Sequence, residues 1–325
     1  MTAQLPPPVW DNHACPPMAL ADLPAHLGVL DRYAHAGVDV VSLNIGYGEM
    51  AWDEHLAMAQ AITAWLSARP DRFCLARSVK QIEAARRAGR LAVVFDVEGA
   101  APLEGDLSRV GILHDLGVRW MLLAYNRRNW AAGGVHDEAG LTPAGRDLIS
   151  AMEDAGIVVC LSHTAPEAAM AALAVARKPM ILSHSNLRTA CDHPRNISNE
   201  LALACAASGG VIGVNGLRLF LGQGAALETL VVQHLLQLVA LVGPLHVGLG
   251  LDFVFDLAGL ESEKSAMKGS FPPGSGYEAP TECTPPEAVP AIRAGLLSAG
   301  LAPGEVAAIM GGNWHRIAQR CWVDA

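Results

Sequence analysis

The sequence predicts an α/β fold, a (β/α)8 barrel of the TIM type with a metal site at the C-terminal ends of its strands. Three observations carry this. Eight short apolar runs alternate with amphipathic, Ala- and Leu-rich stretches, which is the element count of a closed barrel. Several helical stretches stop at a glycine just before the next run (Gly37, Gly89, Gly117, Gly156), as helix C-caps do. Reactive side chains also finish many of the runs, on the face where barrels carry chemistry.

The runs, in order, are 8–13, 38–47, 91–98, 118–125, 156–163, 179–184, 210–216 and 246–252. Most are largely apolar, as strands are when helices cover both faces of a parallel sheet. Helical periodicity fills the spacers, for example 54–68, 79–88, 142–155 and 228–241. A doubly wound open sheet is the structural rival, but no Gly-x-Gly-x-x-Gly turn follows an early strand. Residues 253–290 are rich in Pro, Gly, Ser and acids and read as a long irregular loop on the active-site face, a lid or specificity loop. The tail, 305–323, returns to helix. With no internal repeat and no linker, residues 1–325 read as one barrel domain.

Composition narrows the function. Of 325 residues 51% are hydrophobic and 17% charged, with a formal net charge of −9 and no basic run to track phosphates, so nucleic acid is a poor partner. The seven cysteines stand singly, without a Cys-x-x-Cys pair, which predicts free thiols in a reducing compartment. The N-terminus lacks the basic and apolar regions of a signal peptide, and no uninterrupted apolar stretch is long enough to span a membrane. A cytoplasmic protein with no membrane partner is the expectation.

His163 and His184 end consecutive runs, Gly-Ile-Val-Val-Cys-Leu-Ser-His and Pro-Met-Ile-Leu-Ser-His, with a helical stretch at 165–177 between them. A right-handed crossover places both imidazoles on one sheet edge, a strand apart, where they suggest a metal site. His13, Glu98, Tyr125-Asn126 and Asp252 end other runs on the same predicted rim. Shared ligation satisfies these polar groups together, whereas separate burial requires a partner for each. The remaining histidines, at 26, 35, 55, 114, 136, 234, 246 and 315, read as structural residues away from the rim.

Val97-Glu98-Gly99, Leu141-Thr142-Pro143-x-Gly145, Leu161-Ser162-His163, Ser183-His184-Ser185, His193-Pro194-Arg195-Asn196 and Gly311-Gly312-Asn313-Trp314 resemble the renal (membrane) dipeptidase family. These are barrel-shaped zinc peptidases of the amidohydrolase superfamily, and the resemblance runs from about Pro8 to the C-terminus. It implies that Glu98 bridges two zinc ions, that His163 and His184 bind the second, and that Asp252 manages the proton of the attacking hydroxide. It implies further that Arg195 holds the substrate carboxylate, a task suited to a guanidinium fork.

Two positions depart from the family. Its first strand carries His-x-Asp, but here Asp11-Asn12-His13-Ala14-Cys15 puts Cys15 at the aspartate. Either a His13/Cys15/Glu98 site forms, since thiolate is a good zinc ligand, or Cys15 is a buried thiol and one metal sits on Glu98, His163 and His184. Tyr125 stands where mammalian members carry a substrate-contacting histidine; it is expected to touch substrate and to donate to a developing oxyanion.

The resulting expectation is a zinc-dependent hydrolase with one or two Zn2+ ions, cleaving dipeptides or similar small carboxylated amides. Rival expectations are hydrolysis of a non-peptide amide or lactone, and a catalytically weakened, ligand-binding homologue favoured by Cys15. Family analogy allows a homodimer.

Overall fold

The computed structural model describes residues 5–48 and 50–323. Its strands are β1 (Trp10–Cys15), β2 (Val40–Tyr47), β3 (Phe73–Leu75), β4 (Leu91–Glu98), β5 (Val118–Leu122), β6 (Val158–Cys160), β7 (Ile212–Val214), β8 (Val247–Leu249) and β9 (Phe253–Val254). All named pairings are parallel, in the order β6-β5-β4-β2-β1-β8-β7. Residues 181 and 182 join the two ends of that path, through parallel bridges Cys160↔Ile181 and Leu182↔Ile212. The eight expected runs therefore supply the eight staves of a ring.

Two differences from expectation have local causes. The sixth stave, 179–184, pairs only at those bridges and forms no regular strand. It is flanked by glycines where backbones meet closely: a Cβ at Gly213 or Gly250 would lie 2.1 or 1.9 Å from the Ser183 carbonyl oxygen. The segment 253–290 is more ordered than expected. β9 pairs with β1 (Ala14↔Phe253, Cys15↔Val254), and a helix spans Leu257–Ala266, capped by Asp256 accepting from Gly259 N at 3.1 Å.

Helix boundaries follow local chemistry. The helix Pro143–Ala155 begins with Thr142 Oγ1 accepting from Gly145 N and Pro at its first position, and ends on Gly156 at φ 82°. Strand alternation then sorts the side chains. Val41, Val93, Phe95 and Val97 pack outward against helices through residues such as Met58 and Ile62, whereas Trp10, Val40, Ala92, Val94, Trp120 and Ile181 fill the ring. Trp314, on the closing helix Asn313–Cys321, plugs the interior from below and donates to Leu249 O at 3.0 Å. The tail is not one continuous helix, because it turns through a π segment at Ala308–Gly312. A Cβ at Gly311 there would lie 2.3 Å from Pro8 O. No helix among the described residues is long and apolar enough to cross a membrane.

Bulges aim the site. Between β1 and β2 the register passes from Asp11↔Val41 to Ala14↔Leu43, so β1 carries one extra residue. Between β2 and β4 it passes from Asn44↔Asp96 to Tyr47↔Glu98, so β2 carries one extra. The extra residue in β1 turns His13 and Cys15 to the ring's interior after Trp10 and Asn12 have pointed there.

Candidate metal centre and active site

The structure brings the eight sequence-predicted site residues to the C-terminal mouth of the ring: His13, Glu98, Tyr125, His163, His184, Arg195 and Asp252 lie together there. Cys15 joins them, although its contacts run to His13 and Asp252.

The hub is Glu98 Oε1. It is buried, has no hydrogen-bond partner, and stands 3.4, 3.4 and 3.2 Å from the Nε2 atoms of His13, His163 and His184. The His163 and His184 Nε2 atoms are 2.9 Å apart, and the His13 and His184 rings stack at 4.1 Å. Asn126 donates its amide Nδ2 to Ser270 O, which turns Oδ1 toward His163 Nδ1 at 2.7 Å. His163 Nδ1 therefore carries the proton and Nε2 the lone pair. The Ser183 hydroxyl stands 2.7 Å from His184 Nδ1, where it can accept when Nε2 acts as a ligand. Burial, with Arg195 adding to it, holds His163 well below the usual imidazole range; burial and His13 do the same for His184. Both rings are thereby kept in the neutral form that binds metals.

Beside the hub, Cys15 Sγ is 3.4 Å from His13 Nε2 and donates to Asp252 Oδ1 at 3.3 Å. The ligand atoms of His13, Cys15 and Asp252 fall within 4.8 Å of one another, as do those of His13, Glu98 and His184. Burial raises the Cys15 thiol, and the Asp252 charge raises it further. Burial likewise lifts Glu98 to about 8 despite the opposing pull of His13. Burial works against charge on His13, but Glu98, Asp96 and Asp252 together take it up to about 10. A buried cluster rich in carboxylates, with an orphaned oxygen facing three imidazole nitrogens, is the donor set that a divalent cation satisfies. Nitrogen, sulfur and oxygen donors at such a centre suit zinc.

Asp252 is held through both its side chain and its backbone. Its Oδ2 accepts from Asn215 Nδ2 at 2.8 Å, and its backbone N donates to His13 O. Asp252, His163 and Asn126 all hold left-handed backbone conformations, at φ 57°, 62° and 54°. Such strain at three residues of one rim is characteristic of a site whose side-chain directions matter.

A cavity of about 190 Å³ opens over this centre, lined by Cys15, Glu98, Tyr125, His163, Arg195 and Asp252. Arg195 is buried, donates Nη2 to His184 O at 3.3 Å, and lies over the Phe220 ring. Its Nε has no partner, which suits it to an incoming carboxylate. Tyr125 stacks on His163 at 4.4 Å, and burial, then Glu98, raises its phenol well above the usual range, so it stays a neutral donor.

The 253–290 segment roofs the cavity. Phe271 and Tyr277 pack together at 5.2 Å, Ser270 O receives Asn126, and Ser275 O faces His193 Nε2 at 2.8 Å. Glu263, on the helix of this segment, takes the Tyr47 hydroxyl. His136, expected away from the rim, stands beside it: its Nε2 is 3.0 Å from Tyr277 Oη, and burial, with Arg195 adding, lowers it to about 4. Sequence reasoning missed this histidine because it lies in a loop with no periodic frame. It also passed over Asp96, Asn126 as an orienting group, Ser183, Asn215, Tyr47 and Tyr277. Asp96 was concealed inside an apolar run, whereas Asn126 was visible beside Tyr125.

Comparison with known proteins agrees with this architecture. The chain is similar to an uncharacterized dipeptidase of Schizosaccharomyces pombe, 36% identical over 168 residues, covering 49% of this chain and 41% of that protein. The matches span less than half the length of the first curated relatives. Among solved structures, an amidohydrolase from Pseudomonas aeruginosa superposes with a TM-score of 0.88 at 20% identity, covering 97% of both chains. A metallo peptidase from Rhodobacter sphaeroides, liganded with a phosphinate mimic of the dipeptide L-Ala-D-Ala, superposes at 0.78 and 20% identity, covering 98% of this chain and all of the other. These two establish the shared fold. The family model for membrane dipeptidase matches residues 44–321, most of the chain, and on that match the protein belongs to the membrane dipeptidase family, peptidase family M19.

Proposed function

We propose that the chain is a zinc-dependent hydrolase that cleaves the amide bond of dipeptides or similar small carboxylated amides. The observation that carries this reading is the convergence of three imidazole Nε2 atoms on the unpartnered Glu98 Oε1, under a cavity that also presents the unpartnered Nε of Arg195. His163 and His184 would hold one zinc ion, His13 and Cys15 a second, and Glu98 would serve both. Zinc at these positions supplies an activated water nucleophile and polarises the scissile carbonyl.

The protein's own groups do the rest. Arg195 takes the substrate carboxylate in its guanidinium fork and so fixes the scissile bond over the centre. Asp252 accepts a proton from the nucleophile and passes it to the departing amine, while Asn215 holds its other oxygen. Tyr125, neutral and stacked on His163, donates toward the oxygen that gains charge. The roof over 253–290 limits water and the size of the substrate. A reducing, cytoplasmic compartment is part of this reading, from the single, unpaired spacing of the cysteines in the sequence.

One observation favours a second reading. Cys15 donates to Asp252, so the first metal position competes with a hydrogen bond that holds the thiol protonated. If the bond persists, one zinc binds on Glu98, His163 and His184 and hydrolysis is weakened. Metal analysis of the full chain, alongside a panel of dipeptides, N-acyl amino acids and lactones, tests the proposal. Zinc-dependent turnover of dipeptides or N-acyl amino acids supports it, and turnover of lactones alone overturns it.

A further inference from the structure

Asp96 is a buried carboxylate to which the reaction outlined above gives no task. It lies two residues before Glu98 on β4, so both side chains face the interior of the ring. It is fully buried, neither carboxylate oxygen has a hydrogen-bond partner, and Oδ1 stands 3.5 Å from His13 Nδ1. His13 Nδ1 likewise has no partner. The next interior positions down the same strand, Val94 and Ala92, are apolar and packed. An unpaired carboxylate in such surroundings is strongly disfavoured; Asn44 faces it from β2 as a neutral amide, and among the described residues His13 is the cation-forming group paired with it.

The three imidazoles differ in what stands behind them. His163 has the neutral amide oxygen of Asn126 and His184 the neutral hydroxyl of Ser183, both at 2.7 Å. His13 alone has a carboxylate. A carboxylate behind a ligating histidine fixes the ring's tautomer and orientation and makes its other nitrogen a stronger donor. It also adds negative charge at the position where this chain carries Cys15 in place of an acid.

We infer that Asp96 is a positioning residue for the first metal position: it holds His13 with the proton on Nδ1 and turns the Nε2 lone pair toward Cys15 and Glu98. The assignment rests on the functional reading above. It goes further in making the two metal positions unequal, the first charge-assisted from behind and the second held by neutral partners. Asp96 touches neither substrate nor metal and acts through His13.

The test is zinc titration of the full-length, chelator-stripped protein against a chromophoric competitor, for wild type, D96N and N126L. Wild type is expected to bind two zinc ions. D96N, nearly isosteric, is expected to weaken one of them about 10–100-fold and leave the other within about twofold, with N126L weakening the opposite one. Unchanged affinities in D96N overturn the inference, as does an equal loss at both positions accompanied by a lower melting temperature, which marks a structural role. A second readout needs no altered Asp96. Nitrogen-15 spectra of zinc-loaded wild type, with the His13 signal assigned through H13Q, are expected to place the proton on Nδ1; a proton on Nε2 overturns the inference. Wild type that binds no zinc overturns the functional reading itself. Wild type that binds zinc normally, with D96N indistinguishable from it, overturns only the role of Asp96.

Discussion

His163 Nε2 and His184 Nε2 lie 2.9 Å apart, and Glu98 Oε1 faces them at 3.4 and 3.2 Å. Two neutral imidazoles with facing lone pairs repel unless a proton or a cation lies between them and the carboxylate. The Asn126 bond commits the His163 proton to Nδ1, and in the proposed reading a cation rather than a His184 proton fills the space before the carboxylate. His184→Ala should therefore lose about one equivalent of zinc. Its kcat/KM should fall by at least about 1,000-fold, the scale of losing several kcal/mol of Lewis-acid stabilisation. Metal analysis and steady-state kinetics on the same preparation check both.

Asp252→Asn separates chemistry from metal binding. The amide keeps the shape of the side chain but cannot accept and return a proton. The expected result is a kcat about 100- to 10,000-fold lower with zinc content unchanged. A large loss of zinc instead would make Asp252 a ligand.

Arg195→Lys addresses the substrate carboxylate. A lysine keeps the charge but loses the bidentate fork and the stacking on Phe220, so KM for a dipeptide should rise about 10- to 100-fold, on the scale of charged hydrogen bonds of about 1.5–3 kcal/mol. C-terminally amidated dipeptides should be poor substrates for wild type and change little in the variant. Comparing the two substrate series by KM checks this.

Much of this architecture could be read from the residues. The eight staves show as runs in the sequence, although only seven of them form regular strands, and Glu98, His163, His184 and Asp252 stand out because each ends one. The helix Leu257–Ala266 was not legible, since none of its residues is buried and no apolar stripe marks it; only the Asp256 cap signalled its start. Strand β3 was too short to register beside its helices. Asp96 was lost for the opposite reason: strand alternation is readable only when one face is polar, and here both faces are buried. The bulge that turns His13 and Cys15 inward leaves no mark in composition at all. Side-chain partnerships such as Cys15 with Asp252 join residues far apart in the chain and needed the fold.

His136 predicts a pH dependence of stability. Its folded pKa, lowered to about 4 by burial and by Arg195, lies below the ordinary 6.5. Protonation therefore favours the unfolded chain. The contribution is complete above about pH 6.5 and is lost progressively as pH falls from there toward 4. His136→Gln should reduce the drop in melting temperature between pH 7 and pH 5, measured by thermal denaturation.

Trp314 tests the plug of the ring. It is buried, fits against Gly248, where a Cβ would come 2.5 Å from its Nε1, and donates to Leu249 O. Trp314→Ala should cost about 3–5 kcal/mol of unfolding free energy, read as a lower urea midpoint. Gly248→Ala should also destabilise, through the clash rather than a void.

The most direct test of the central claim is hydrolysis of an unmodified dipeptide by full-length protein that has been stripped with a chelator and then reloaded with measured zinc. The account predicts no turnover in the stripped protein and turnover that rises with zinc bound per chain. Undiminished turnover without metal, or none from fully loaded protein on any dipeptide, would contradict it.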